Sequence, residues 1–256
     1  MKLPHLLFPL ALLTLPARAE WSQWRGAQRS GVSSEKGLLQ KWPKEGPKLA
    51  WHIEGLGRGM ASTSVADGKI FTMGERGGKQ FVLAYDAATQ KELWAAEVSS
   101  HGGEPRCTPT VAGGLVYALS DDGEVLCCSA KDGSPVWKKS YRKDFGDPPK
   151  PGWQFSESPL VDDGKVIVTP GHADHFMVAL DAKTGSPVWT LKAKLEGNGH
   201  DGAGYTGAVV SNGAGVMVRR RQRMIMPVKH DGWLQPMLQP PFKHGAAHLA
   251  ATDQQY

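Results

Sequence analysis

Ala179-Leu-Asp-Ala-Lys-Thr-Gly-Ser-Pro-Val-Trp189 is a phrase the chain has already used, as Ala84-Tyr-Asp-Ala-Ala-Thr-Gln-Lys-Glu-Leu-Trp94. A third, degraded copy is Cys127-Cys-Ser-Ala-Lys-Asp-Gly-Ser-Pro-Val-Trp137. Together they read A-x-D-x-x-T-G-x-x-x-W: a strand ends in Asp, turns through Thr-Gly, and enters a second strand that carries Trp. The chemistry of that turn is specific. Asp86 and Asp181 can accept backbone N–H bonds across it, with Thr89 and Thr184 beside them, and Gly133 and Gly185 tolerate positive φ. Each Trp then offers a large flat surface with one N–H to satisfy.

The tryptophans set a period. Trp51 precedes Trp94 by 43 residues, Trp94 precedes Trp137 by 43, and Trp189 follows 52 later. Within each period the sequence alternates short apolar runs with Asp-Gly or Gly-Gly turns, such as Asp67-Gly68, Gly113-Gly114 and Asp163-Gly164. Four short strands recurring at such a spacing are the signature of propeller blades. The expected fold is all-β: a β-propeller of four-stranded antiparallel blades. The repeats occupy 47–216, with blades at 61–98, 107–141 and 157–193 and the start of a fourth at 205–216. Lys48 to Ile53, around Trp51, reads as a further short strand. After Val216 the register is lost, and 217–256 reads as a basic tail that is disordered or out of frame.

Thirty-one Gly and 18 Pro in 256 residues favour many turns over long helices. Met1 to Ala19 reads as a cleaved export signal, with Lys2, an apolar run from Leu6 to Leu15, and Ala17-Arg-Ala19 before Glu20. That predicts a periplasmic or secreted protein. The apolar run is too short to span a bilayer, and with no Cys after the cleavage point no lipid anchor is indicated. Residues 20–46 read as an extension lying over the core, anchored by its tryptophans. The net charge of +5 is carried by the two ends, including Arg219, Arg220, Arg221 and Arg223, which leaves the body near neutral and argues against a nucleic-acid partner. Cys107, Cys127 and Cys128 allow at most one disulfide.

On these repeats the chain resembles the pyrroloquinoline-quinone-like (PQQ-like) β-propeller proteins, a superfamily that includes quinoprotein alcohol dehydrogenases and the propeller of the outer-membrane assembly machinery. The phrase ending at Trp94, Trp137 and Trp189 is similar to that family's tryptophan-docking motif, in which each Trp packs on the neighbouring blade. Gln90 departs from it where Gly is expected. Trp21-Ser-Gln-Trp-Arg-Gly26 is similar to the opening of an exported subgroup. The resemblance implies seven or eight blades, so three complete blades imply an incomplete wheel. It also implies two candidate roles: a non-catalytic scaffold or binding module for a protein or polymer partner, or a quinone-dependent alcohol or sugar oxidoreductase, inactive in this truncated form. PQQ would then belong to an intact relative.

Individual residues point mostly to structure. The regular placement of Trp51, Trp94, Trp137 and Trp189 indicates packing between blades rather than a binding surface. Cys127-Cys128 resembles the adjacent-cysteine disulfide of quinone-dependent dehydrogenases, yet neighbouring strand residues point to opposite faces. His172-Ala-Asp-His175 and Asn198-Gly-His-Asp201 lack the spacing of a structural zinc site, so no metal is expected. Gly55-Leu-Gly-Arg-Gly59 precedes a strand and has no helix N-terminus to meet a phosphate. Glu157 either faces the central channel or caps a turn. No catalytic residue is assigned.

Overall fold

A computed structural model describes residues 20–193, 207–211, 215–219 and 223–226. The export signal, the Asn198–Asp201 stretch and the chain after Met226 lie outside the described residues.

Each repeat folds into a sheet whose strands are paired in chain order, as expected when turns are too short for crossovers. The first sheet is β1 (Ser64–Ala66), β2 (Lys69–Arg76), β3 (Lys79–Asp86) and β4 (Glu92–Ser99). The second is β5 (Thr110–Ala112), β6 (Leu115–Leu119), β7 (Glu124–Ser129) and β8 (Pro135–Ser140), followed by one turn of helix, α1 (Tyr141–Asp144). The third is β9 (Leu160–Asp162), β10 (Lys165–Val168), β11 (Met177–Asp181) and β12 (Pro187–Leu191). All pairings are antiparallel. The first strands β1, β5 and β9 approach one another, so they form the hub of the sector and β4, β8 and β12 its rim.

The repeats agree in fine detail. A register shift falls at Ala84/Tyr85, Cys127/Cys128 and Ala179/Leu180, just before each turn. In each turn the residue after the Asp or Ser position donates its N–H to the glycine of the preceding hairpin: Ala87 to Gly68, Ala130 to Gly114 and Ala182 to Gly164, all at 2.9 Å. The core is built from inward faces of β2, β3, β6, β7, β10 and β11, including Phe71, Val82, Tyr117, Leu126, Val166 and Leu180. Adjacent sheets therefore share one continuous apolar interior.

Two expectations are corrected, and one element is new. Lys48 to Ile53 is not a strand, and Trp51 is 49% exposed. A strand needs a partner for its N–H and C=O groups, and this stretch pairs with none of the described strands. The fourth repeat does not stop at Val216, because β13 (Val209–Ser211), β14 (Gly215–Arg219) and β15 (Arg223–Met226) form an antiparallel sheet. The short apolar runs at 216–218 and 224–226 fall within β14 and β15. The helical turn α1 was not foreseen. It is capped from within, with Ser140 N–H donating to Asp144 Oδ2 at 2.7 Å.

Candidate functional site

The turn residues singled out in the sequence meet as follows. Asp86 Oδ1 accepts from Ala88 N, Thr89 N and Thr89 Oγ1 at 3.0, 2.7 and 2.9 Å. Asp181 Oδ1 accepts from Lys183 N, Thr184 N and Thr184 Oγ1 at 3.0, 2.8 and 3.0 Å. These bonds favour the ionised carboxylates, and both are held below the usual aspartate range, led by the Thr89 and Thr184 backbone N–H bonds. The degraded copy rebuilds the turn differently. Ser129 Oγ accepts from Lys131 N, and Asp132 accepts from Ser134 Oγ and N. The Ser134 hydroxyl bond leads the depression of Asp132 to about 2.

The indoles lie against the next repeat's turn. A Cβ at Gly133 (φ +75°) would stand 2.7 Å from the Trp94 ring, and one at Gly185 (φ +71°) 2.7 Å from Trp137. Trp137 Nε1 also donates to Ala182 O at 3.0 Å. Trp94 stacks obliquely with Phe71 and Trp137 with Tyr117, at 5.9 and 6.1 Å. Trp189 lies against the cluster of Leu160, Ile167 and Phe176. Trp51 is not brought to any of these contacts; Gln90, at φ +58°, holds the turn position that Gly133 and Gly185 hold in the other copies.

At the hub is a small cavity of about 150 Å³. Its walls come from matching positions, four and two residues before each first strand: Met60 and Ser62, Arg106 and Thr108, Ser156 and Ser158, with Gly207 before β13. Trp24 closes it from the N-terminal segment. Sequence reasoning missed this ring because its members share a repeat position ahead of the first strands, outside the docking phrase that was compared. The repeat register was the signal available for it.

Glu157, between two of those serines, turns away from the cavity. It is 3% exposed, accepts from Tyr141 Oη at 2.7 Å and from Thr169 N at 2.6 Å, and so joins α1 to the third sheet. Burial raises its carboxyl above the usual range and holds the Tyr141 phenol far above its own. The alternative that Glu157 faces the channel is therefore corrected: it caps. Cys107, Cys127 and Cys128 are buried free thiols, each pushed up to about 12 by burial. Cys127 points toward Ala182 of the third sheet, and Cys128 to the opposite face of β7. His172 and His175 are ring neighbours at 5.9 Å, but no group of three potential ligands exists among the described residues. In the Gly55–Gly59 stretch, Arg58 pairs with Glu75 of β2, through two backbone bonds and a 2.7 Å ion pair.

The segment before β1 was expected to lie over the core, and part of it does. Trp21 pairs with Val65, Ser22 O accepts from Val111 N at 2.7 Å, and Arg29 reaches the carbonyls of Ser158, Pro159 and Ala208. Trp42 instead stands 69% exposed.

Hub-facing first strands, repeated docking turns and rim strands together define a PQQ-type β-propeller sector. The PQQ_2 sequence family, described as outer membrane protein assembly factor BamB, matches residues 22–148 and 78–235. The chain belongs to this family. It is 33% identical over 155 residues to quinohemoprotein alcohol dehydrogenase ADH IIB of Pseudomonas putida, a match covering 55% of this chain and 21% of that protein. It is 28% identical over 159 residues to outer membrane protein assembly factor BamB of Burkholderia pseudomallei, covering 62% of this chain and 38% of that one. The crystal structure of BamB from Moraxella catarrhalis superposes with a TM-score of 0.50 at 20% identity, over 75% of this chain and 53% of that chain. The chain thus spans well under half the length of these two curated relatives. Among the described residues, no helix is long and apolar enough to cross a membrane.

The adjacent cysteines whose disulfide the resemblance places beside a quinone cofactor lie away from the hub cavity. Neither Cys127 nor Cys128 lines it.

Proposed function

We propose that this chain is an exported, non-catalytic propeller scaffold that presents its hub and rim surfaces to a protein or polymer partner, and that Trp94, Trp137 and Trp189 lock its sheets together. The observation that carries this reading is how the reactive side chains are used. Glu157 is held by Tyr141 and Thr169, and the three thiols are buried with their pKa pushed up to about 12, so each is committed to packing or capping. A general base must reach its substrate proton, and Glu157 faces the interior. The likeness to outer membrane protein assembly factors supports the same role. Export rests on the reading of residues 1–19.

The rival reading, a quinone-dependent oxidoreductase, is separated by one assay. A version of the protein extended to a full set of blades is incubated with pyrroloquinoline quinone and calcium and offered alcohols and sugars with a redox dye. The scaffold reading predicts no dye reduction above the cofactor alone. Substrate-dependent turnover would overturn it.

A further inference from the structure

Residues 21–31 behave like a ligand bound to the hub rather than like a part of any sheet. Trp21 forms two backbone hydrogen bonds to Val65 of β1, both 2.9 Å, and Ser22 O accepts from Val111 N of β5. Arg29, 4% exposed, donates through Nη1 to Ala208 O (2.9 Å), ahead of β13, and through Nη2 to Ser158 O (3.1 Å) and Pro159 O, ahead of β9. One short segment therefore touches all four repeats. Carbonyls converging on one guanidinium make a site suited to a planar, forked cation, which a lysine ammonium does not reproduce.

The segment is also folded on itself. Gly26 N donates to Gln23 O, Arg29 N to Gly26 O and Gly31 N to Arg25 O, at 2.9 to 3.0 Å. Gln23 Oε1 accepts from Arg29 Nε at 2.8 Å, which aims the guanidinium before it meets the hub. Such pre-organisation lowers the ordering cost of binding. Beyond Gly31 the chain leaves the surface. Val32, Leu38, Leu39 and Trp42 are each 60% exposed or more, and the described hydrogen bonds there join close neighbours, such as Glu35 N to Ser33 Oγ and Gly46 N to Pro43 O. The tether contributes little to holding the segment in place.

We propose that the hub ends of β1, β5, β9 and β13 form a binding groove for a turn-folded, arginine-bearing peptide, and that residues 21–31 are its resident ligand, held by their contacts rather than by their connection to the rest of the chain. The groove is separate in kind from any catalytic role, and it stands whether or not the sector turns over a substrate.

The test uses the full chain carrying a recognition site for a sequence-specific protease within residues 38–44. After cleavage, size-exclusion chromatography should show the N-terminal fragment travelling with the body. A brief cycle through mild urea with excess fluorescent peptide of residues 20–31 should then replace it. The same peptide carrying Arg29→Lys should bind more than about tenfold more weakly, as expected for loss of even one charged hydrogen bond. A fragment that separates on the first column, a peptide that fails to enter after the urea cycle, or equal binding of the Arg29→Lys peptide would each overturn the proposal.

Discussion

Gly133 and Gly113 differ in what their missing side chains leave room for, and this makes a controlled pair. Both have positive φ, but Gly113 faces open space whereas Gly133 lies under the Trp94 ring. Gly113→Ala should cost about 1 kcal/mol from backbone strain. Gly133→Ala adds a clash with a packed ring and should cost about 2–5 kcal/mol. Urea unfolding at unchanged m decides the comparison. Titratable residues give two signs. Asp132, Asp86 and Asp181 have folded values below their unfolded value of 3.8. Their contribution is therefore full above about pH 4 and is lost as pH falls through the folded values, near 2 for Asp132. Glu157 acts the other way. Its raised value means that the folded chain holds the proton more tightly, so its effect on stability becomes unfavourable as pH rises through 4.5. Glu157→Gln keeps an acceptor for Tyr141 and Thr169 and removes that slope. Thermal midpoints of Glu157→Gln against the parent should diverge upward above pH 4.5, and parallel curves would contradict the assignment.

At the scale of elements, the docking turn tolerates a change of letters if the hydrogen bonds return. The second repeat lacks the Asp that starts the turn, yet Ser129 and Asp132 together supply the acceptors that Asp181 supplies alone. Gly133 N–H still donates to Ser129 O at 2.9 Å, as Gly185 N–H does to Asp181 O. The N-terminal segment joins elements instead of extending one. Removing its key contact by Arg29→Ala should cost at least about 2 kcal/mol, since several bonds to a charged donor are lost in a buried setting. Hydrogen exchange locates the effect. The amides of Val65 and Val111, which donate to Trp21 and Ser22, should lose protection well before those of β6 and β10. Uniform loss across all four would contradict a separable segment.

Over the whole molecule, legibility followed sequence distance. The all-β class, the four-stranded sheets and most strand bounds could be read because turn residues and strand alternation act within a few positions, as at Asp67-Gly68 and Lys69–Arg76. The contacts of Asp86 with Thr89 and of Asp181 with Thr184 were readable for the same reason. What escaped was set by distant partners. The cavity ring of Ser62, Thr108 and Ser158 is assembled from three repeats, Arg29 meets carbonyls more than a hundred residues away, and α1 is tied through Tyr141 to Glu157 ahead of the third sheet. Trp51 misled because its spacing matched the period, while the stretch around it pairs with no described strand and leaves the indole half exposed. The central claim is that the indoles of the first and second sheets, Trp94 and Trp137, wedge against the turn glycine of the next. A double-mutant cycle between Trp137→Ala and Gly185→Ala tests it most directly. Without the indole, Gly185→Ala retains only its backbone strain, so the two changes should couple by about 1–3 kcal/mol. Costs that add to within about 0.5 kcal/mol would contradict the wedge.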